Sequence, residues 1–474
     1  MRRPDPAIVV PALVACAGVA LLALWMSGSP GLALELRLPA ESGAPSQAAA
    51  PEPAVDLRGF FARGEGSPAP LGADWPCFRG ANLDAVSAET VPLARRWPAD
   101  GPPAAWSVPV ADGYAGPAIA VGRLYLLDYD EQARADVLRC LSPADGREIW
   151  RRGYHVYIES NHGWSRTTPA VSGGLVVTLG PKCHVLCADA VTGEFRWGID
   201  LVARYGATIP PWYTGQCPLI DRGRAILAPG GKALLVAVDA QSGQTVWETP
   251  NPDGWAMTHS SIVPMELAGR RMYVYCADRG VVGADAETGA LLWRSTAWTV
   301  PMANAPSPVI VGDGRIFLSG GYGAGCGMFR VEPSGDAFAL RELWRLPASK
   351  FGSEQHTPVL YGGRLFGVRE DGQLVCLDLE GNVLWTSGRM HRFGDKGRGP
   401  YLAADGMLIV LSGEGELSLV EATGEAFRPL ARAKVLPGRE AWAPLALSGG
   451  RLIVRDNGVM KCLDLRASPA GGAP

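Results

Sequence analysis

The phrase "CADAVTGEFRW" (Cys187–Trp197) returns as "VDAQSGQTVW" (Val238–Trp247), "ADAETGALLW" (Ala284–Trp293) and "LDLEGNVLW" (Leu377–Trp385). A phrase recurring at a near-constant distance is architecture before it is chemistry. Its tryptophan falls at Trp106, Trp150, Trp197, Trp247, Trp293, Trp344 and Trp385, at intervals of 41–51 residues. Between tryptophans stand short apolar or alternating runs punctuated by Gly pairs, such as "TPAVSGGLVVTLG" (Thr168–Gly180), and no long helical period. A unit of about 40–50 residues holding four short strands is one blade of a β-propeller.

First strands open near Pro117, Pro169, Pro218, Ser261, Pro308, Pro358, Pro400 and Pro444, which gives eight blades. The seventh, "VEATGEAFRPLARAKV" (Val420–Val435), keeps the turn and lacks the Trp, and the eighth stops at "KCLDL" (Lys461–Leu465), one strand short. "AAWSVPV" (Ala104–Val110), with its orphan Trp106, is expected to supply that strand and close the ring, removing an exposed edge. The fold class is therefore an all-β, eight-bladed β-propeller. In each phrase the Gly allows the positive φ of a tight turn, the Asp can accept from the turn backbone, and the Trp offers a face for the neighbouring blade. This is a packing motif and not a set of catalytic aspartates.

These phrases resemble the Trp-docking repeats of the pyrroloquinoline-quinone (PQQ) propeller superfamily, and the opener "DWPCFRGANLDAVS" (Asp74–Ser87) is similar to the lead-in of secreted bacterial proteins that carry it. The resemblance covers about Asp74 to Arg466. The superfamily includes eight-bladed quinoprotein alcohol dehydrogenases and the propeller lipoprotein of the outer-membrane β-barrel assembly machinery. Its enzymes hold their cofactor over the central channel, commonly beside a disulfide of adjacent cysteines, with Ca²⁺ and a catalytic Asp. This chain has no Cys-Cys pair and no stretch matching the calcium ligands or the base. No catalytic residue, metal ligand or cofactor is assigned, PQQ being the one cofactor the resemblance leaves open.

The N-terminus departs from the repeats. Arg2 and Arg3 precede "AIVVPALVACAGVALLALWM" (Ala7–Met26), twenty residues without a charge, long enough to span a hydrocarbon core. It exceeds the usual length of a cleaved secretory h-region, so a retained signal-anchor is preferred over a removed signal peptide or lipidation at Cys16 in "LVAC". The paired arginines place the propeller on the periplasmic or extracytoplasmic side of the cytoplasmic membrane. The expected domains are an anchor over 1–26, a Pro/Ala/Gly-rich disordered tether over 27–73, the propeller over 74–466 and a disordered tail over 467–474. A net charge of −3 gives no electrostatic footprint for nucleic acid.

Cys140, Cys187, Cys376 and Cys462 share one repeat position with Ala237 and Gly283, so the site wants a small buried side chain. Cys183 and Cys187 on one strand would lie about 13 Å apart, too far for a bridge. Pairings of Cys77, Cys217, Cys276 or Cys326 do not follow from spacing. The histidines make no metal signature. "GGYGAGCG" (Gly320–Gly327) reads as a hairpin turn.

The connections from the fourth strand of one blade to the first of the next converge on one end of a propeller channel. They read "SNHGWSRTTP", "TIPPWYTGQCP", "NPDGWAMTHSS", "VPMANAPSP", "KFGSEQHTP", "FGDKGRGP" and "GREAWAP". Two places before each strand opener stand Ala115, Thr167, Gln216, His259, Pro306, His356, Arg398 and Trp442. A purely structural position would repeat, whereas this one varies. Thr167, Gln216, His259, His356, Arg398 and Trp442 are the candidate ligand or partner face, suited to an anionic or quinonoid ligand below about pH 6.5, where imidazole gains charge. The leading expectation is a non-catalytic, monomeric binding or scaffolding propeller whose partner is a protein or envelope component. Alternatives are a quinone-dependent oxidoreductase centred on His259, His356 and Arg398, and a carbohydrate-binding propeller.

Overall fold

The computed structural model describes residues 15–23, 54–335, 337–394 and 397–467. Two units divide it, Met1–Ala54 and Val55–Pro474. In the first, residues 15–23 are helical and exposed, and no helix among the described residues is long and apolar enough to cross a membrane. The expected anchor falls largely outside the described residues, as do positions 27–53 of the tether and 468–474 of the tail.

In the second unit, eight antiparallel sheets follow one another along the chain, each an up-and-down meander. Blade two shows why the sequence folds this way. Its strands are Ala170–Ser172, Leu175–Leu179, His184–Asp189 and Phe195–Asp200. All of Leu175–Leu179 is buried, because inner strands are covered on both faces by neighbouring blades, so they read as continuous apolar runs. The outermost strand alternates, with Trp197 and Ile199 buried and Arg196 exposed, because one face meets water.

The ring closes as expected. Ala104–Pro109 pairs antiparallel with Val459–Asp464 of blade eight, Trp106 standing opposite Cys462. The indole N–H of Trp106 donates to Pro143 O in blade one at 2.9 Å, so the junction copies the others. Trp150, Trp197, Trp247, Trp344 and Trp385 likewise donate to carbonyls of Val191, Ala240, Ala286, Leu379 and Thr423 in the next blade. Trp293 bonds Met272 Sδ of its own blade instead. Blade five lacks the Asp–Gly turn that would offer the carbonyl, and its outer strands, Gly325–Ser334 and Ala337–Leu346, run on as a long hairpin.

The interchangeable Cys/Ala/Gly position is explained by pairing. Cys140, Cys187, Ala237, Gly283 and Cys376 stand directly across the ladder from Trp150, Trp197, Trp247, Trp293 and Trp385, where only a small side chain leaves room for the indole. Asp189 Oδ1 accepts from the backbone N–H of Val191 and Thr192, the local role expected of the turn aspartates. Cys183 lies in the turn before its strand, at φ 68°, and does not share a strand with Cys187.

The tether is shorter than composition suggested. Phe60–Arg63 adds a fifth strand to blade one, paired with Trp150–Gly153. Arg152 pins it, donating to Arg58 O at 2.7 Å, with Leu57 packed over Gly198 of blade two. Backbone pairing and these side chains offset the ordering of a Gly/Pro-rich stretch that hydrophobicity alone would leave loose. The chain then enters the channel. Trp75 bridges Ile119 of blade one, Val86 bridges Ala403 of blade seven, and Leu93 bridges Arg466 of blade eight. Between them Arg79, 7% exposed, donates to Leu83 O, Asp84 O, Thr357 O and Pro358 O. Residues 75–86 are thus a plug along the inner strands, and Arg79 stitches it to itself and to blade six.

Candidate functional site

Where the connections enter the first strands of blades two to six, an arc of hydrogen bonds joins those blades. The N–H of Thr168 donates to Cys217 Sγ, Cys217 to Ser261 Oγ, Ser261 to Ser307 Oγ and Ser307 to Thr357 Oγ1, at 2.8–3.2 Å. This arc corrects the register of blade four. Ser261 matches Ser307, which precedes Pro308, so the counterpart of the strand-opening proline is Ile262. The residue two before it is then Ser260, and His259 belongs one place further out.

Only part of the candidate face comes together. Thr167 is buried and donates to Leu179 O at 2.7 Å. Gln216 is buried with its amide spanning Ala228, accepting from its N–H at 2.9 Å and donating to its carbonyl at 3.3 Å. The Thr167 hydroxyl completes the inner strands of its own blade, while the Gln216 amide also donates to Tyr275 OH of blade four at 3.4 Å.

His356, Arg398 and Trp442 do converge. A ring nitrogen of His356 lies 2.9 Å from Arg398 O, and its ring packs edge-on to Tyr401. Arg398 donates to Glu354 Oε1 at 2.8 Å and sits over the Trp442 ring, 5.0 Å from its centroid. Trp442 stacks on Tyr114 with centroids 5.0 Å apart and planes 17° from parallel. Arg166 lies over the Tyr114 ring at 5.5 Å and over Tyr213 at 5.9 Å. Tyr114 OH donates to Glu440, whose carboxylate also takes Asn457. The result is one stack across the mouth: Tyr213, Arg166, Tyr114, Trp442, Arg398, Glu354. Sequence reasoning missed Tyr114, Arg166 and Glu354, though each lies within three residues of a position it singled out.

The histidines do not carry the expected charge. Burial holds the imidazoles of His259 and His356 down at about 4, the first helped by nearby Arg166. Neither supplies a cation at pH 6.5, and Arg398 is already spent on Glu354. The expected histidine cations are therefore corrected, while Arg166 donates to the backbone carbonyls of Asn161, His162 and Trp164. A carboxyl outside the expected set is perturbed instead. Asp136, 1% exposed, accepts Tyr154 OH at 2.6 Å and Ser165 Oγ at 3.4 Å, with burial raising it to about 7.

The channel below this floor does not fit PQQ with Ca²⁺. The plug leaves two voids of about 10 and 20 Å³ beside Phe78 and Arg79, each room for about one water. Calcium takes six to eight oxygen ligands, and among the described residues no cluster of three or more His, Cys, Asp or Glu could hold a metal ion.

The same end of the ring carries exposed apolar groups. Tyr157, Met302 and Met390 are 58%, 62% and 91% exposed, the most exposed large apolar side chains described after Val55, and all lie in fourth-to-first connections. Beside Tyr129 and the Asp130–Ala135 hairpin a groove of about 460 Å³ is lined by Asp128, Glu131 and Arg139.

Comparison with known proteins agrees with the propeller fold. A quinoprotein alcohol dehydrogenase, PedH, of Pseudomonas putida is 26% identical over 202 residues, 40% of this chain and 32% of the relative. A quinohemoprotein alcohol dehydrogenase, ADH IIB, of Pseudomonas putida is 27% identical over 175 residues, 34% of this chain and 24% of the relative. The chain thus spans about a third or less of the length of these curated relatives. The crystal structure of BamB from Moraxella catarrhalis superposes with a TM-score of 0.55 at 15% identity, covering 77% of this chain and 99% of that one, a likeness of fold. The family model described as outer membrane protein assembly factor BamB matches residues 133–386, more than half of the sequence, and the chain belongs to that family.

Proposed function

We propose that this chain is a non-catalytic, extracytoplasmic binding or scaffolding propeller that docks a protein or envelope partner on the face bearing its fourth-to-first connections. One observation carries the reading: Arg398, Glu354, Trp442, Tyr114 and Glu440 engage one another at the mouth, while Tyr157, Met302 and Met390 stand exposed around them. Exposed aromatic and Met side chains around such a stack suit a protein interface better than a small-molecule pocket. Family membership supports a partner within an assembly complex, and the apolar N-terminal run supports attachment of a single copy to the membrane. The test is site-specific photocrosslinking in cells. Probes at Tyr157, Met302 and Met390 should capture a partner, and probes at Val121 and Val191, in the turns at the opposite end, should not. Capture from the opposite end alone overturns the docking face.

The curated relatives favour one second reading, a quinone-dependent oxidoreductase. Dye reduction with alcohols after incubation with PQQ and Ca²⁺ decides it, and turnover would replace the scaffold reading. Against a carbohydrate-binding mouth, Tyr114 and Trp442 cover each other and each gives up a face that could stack on a sugar.

A further inference from the structure

At this position three blades use a hydroxyl to accept the preceding blade's N–H: Ser261, Ser307 and Thr357. Blade three alone uses a thiol, Cys217, at 3.2 Å from the N–H of Thr168. The plug brings a second thiol to the same place. Val171 N–H donates to Pro76 O at 2.8 Å, which fixes Cys77, the next residue, against the start of blade two's inner strand, three residues from Thr168. Phe78, Arg79 and Leu83 of the plug line one void together with Cys217. Cys140, Cys187, Cys376 and Cys462 are accounted for by the space opposite a tryptophan, whereas Cys77 and Cys217 lie outside that position, Cys77 Sγ donating to Gly80 O at 3.2 Å within the plug.

We propose that Cys77 and Cys217 are a disulfide-forming pair that locks the plug into the channel. Both are thiols in this structure. Forming the bond removes two protons and two electrons from the pair. The electrons pass to a disulfide oxidant, a glutathione disulfide or a protein disulfide, which leaves as two thiols. Timing follows from burial: the seated Cys77 thiol is pushed up to about 12, by burial first and the neighbouring Cys217 second, and Cys217 to about 11. Only a thiolate attacks a disulfide, so the exchange takes place as the plug docks and the seated bond is then shielded. The site rests on the extracytoplasmic reading only for the oxidant's supply.

The test uses the full chain, refolded from denaturant with a glutathione redox buffer, and separately recovered from an oxidising compartment. Free thiols are alkylated under denaturing conditions and peptides mapped without reduction. The expected result is a Cys77–Cys217 linked peptide, with eight of the ten cysteines alkylated. Cys217→Ser, which restores the hydroxyl used by the other blades, should fold and lose the link. The oxidised wild type should melt several degrees above its reduced form, a gap absent in Cys217→Ser. Ten alkylated cysteines after refolding, or Cys77 linked elsewhere, overturns the proposal. A link that forms in glutathione but not in cells upholds the pair and counts against the compartment instead.

Discussion

Replacing Trp197 by Ala tests the physical basis of the whole ring. The indole is 6% exposed, lies over Gly243 of blade three and donates to Ala240 O at 2.8 Å. A buried Trp removes about 150–250 Å² from water. At about 25 cal/mol per Å² the ring is worth about 4–6 kcal/mol relative to exposure. Losing the N–H strands the buried Ala240 carbonyl at a cost of about 1 kcal/mol, and partial collapse of the cavity returns some of this. The expected loss is about 3–5 kcal/mol. Trp197→Phe keeps the stack and loses the hydrogen bond, so about 1–2 kcal/mol is expected. Gly243→Ala attacks the interface from the other side: its φ is +70° and a Cβ would stand 2.6 Å from the indole. It should cost at least as much as Trp197→Phe. Urea unfolding followed by far-ultraviolet circular dichroism is the assay, because 15 tryptophans blur fluorescence. A loss below about 1.5 kcal/mol for Trp197→Ala, or a greater loss for Phe than for Ala, would refute blade docking through this residue.

Asp136 titrates against the fold. Its carboxyl is raised in the folded state to about 7 from 3.8, so the folded form holds the proton more tightly. That stabilisation is full below pH 3.8 and is lost as pH rises to about 7, by about 4 kcal/mol at 1.36 kcal/mol per unit. Asp136→Asn should flatten the melting profile between about pH 4 and 7, and an unchanged slope would assign it to other groups. Arg398→Ala should cost about 3 kcal/mol by stranding the buried Glu354 carboxylate. Adding Glu354→Gln should recover most of it, and a lack of recovery would mean the pair is not coupled. In an NMR titration His259 and His356 should hold neutral shifts from pH 8 down to about 5, since both sit at about 4; a midpoint near 6.5 would open the mouth to solvent. A chain starting at Val55 should fold, whereas one starting at Asp112 should not, having lost the plug and the strand that pairs with Val459–Asp464; equal melting of the two would refute closure through that strand.

The sequence by itself determined the ring. Each blade is built from neighbouring residues, so its strands, its Asp–Gly turn and its docking Trp are written within one period, and the orphan Trp106 betrayed the exchanged strand. The small residue facing each Trp was legible for the same reason, since a position taking Cys, Ala or Gly reports a space and not a chemistry. What the repeat could not carry is whatever departs from it. The plug has no copy elsewhere in the chain, and its position depends on carbonyls of Thr357 and Pro358, nearly 280 residues from Arg79. Composition read residues 55–73 as loose because their order comes from an edge offered by blade one. At the mouth, sequence singled out His356, Arg398 and Trp442 but not the neighbours they meet. Whether a side chain there meets a ligand or a neighbour depends on contacts between connections 40 or more residues apart. Tertiary structure alone matched Arg398 to Glu354 and Trp442 to Tyr114.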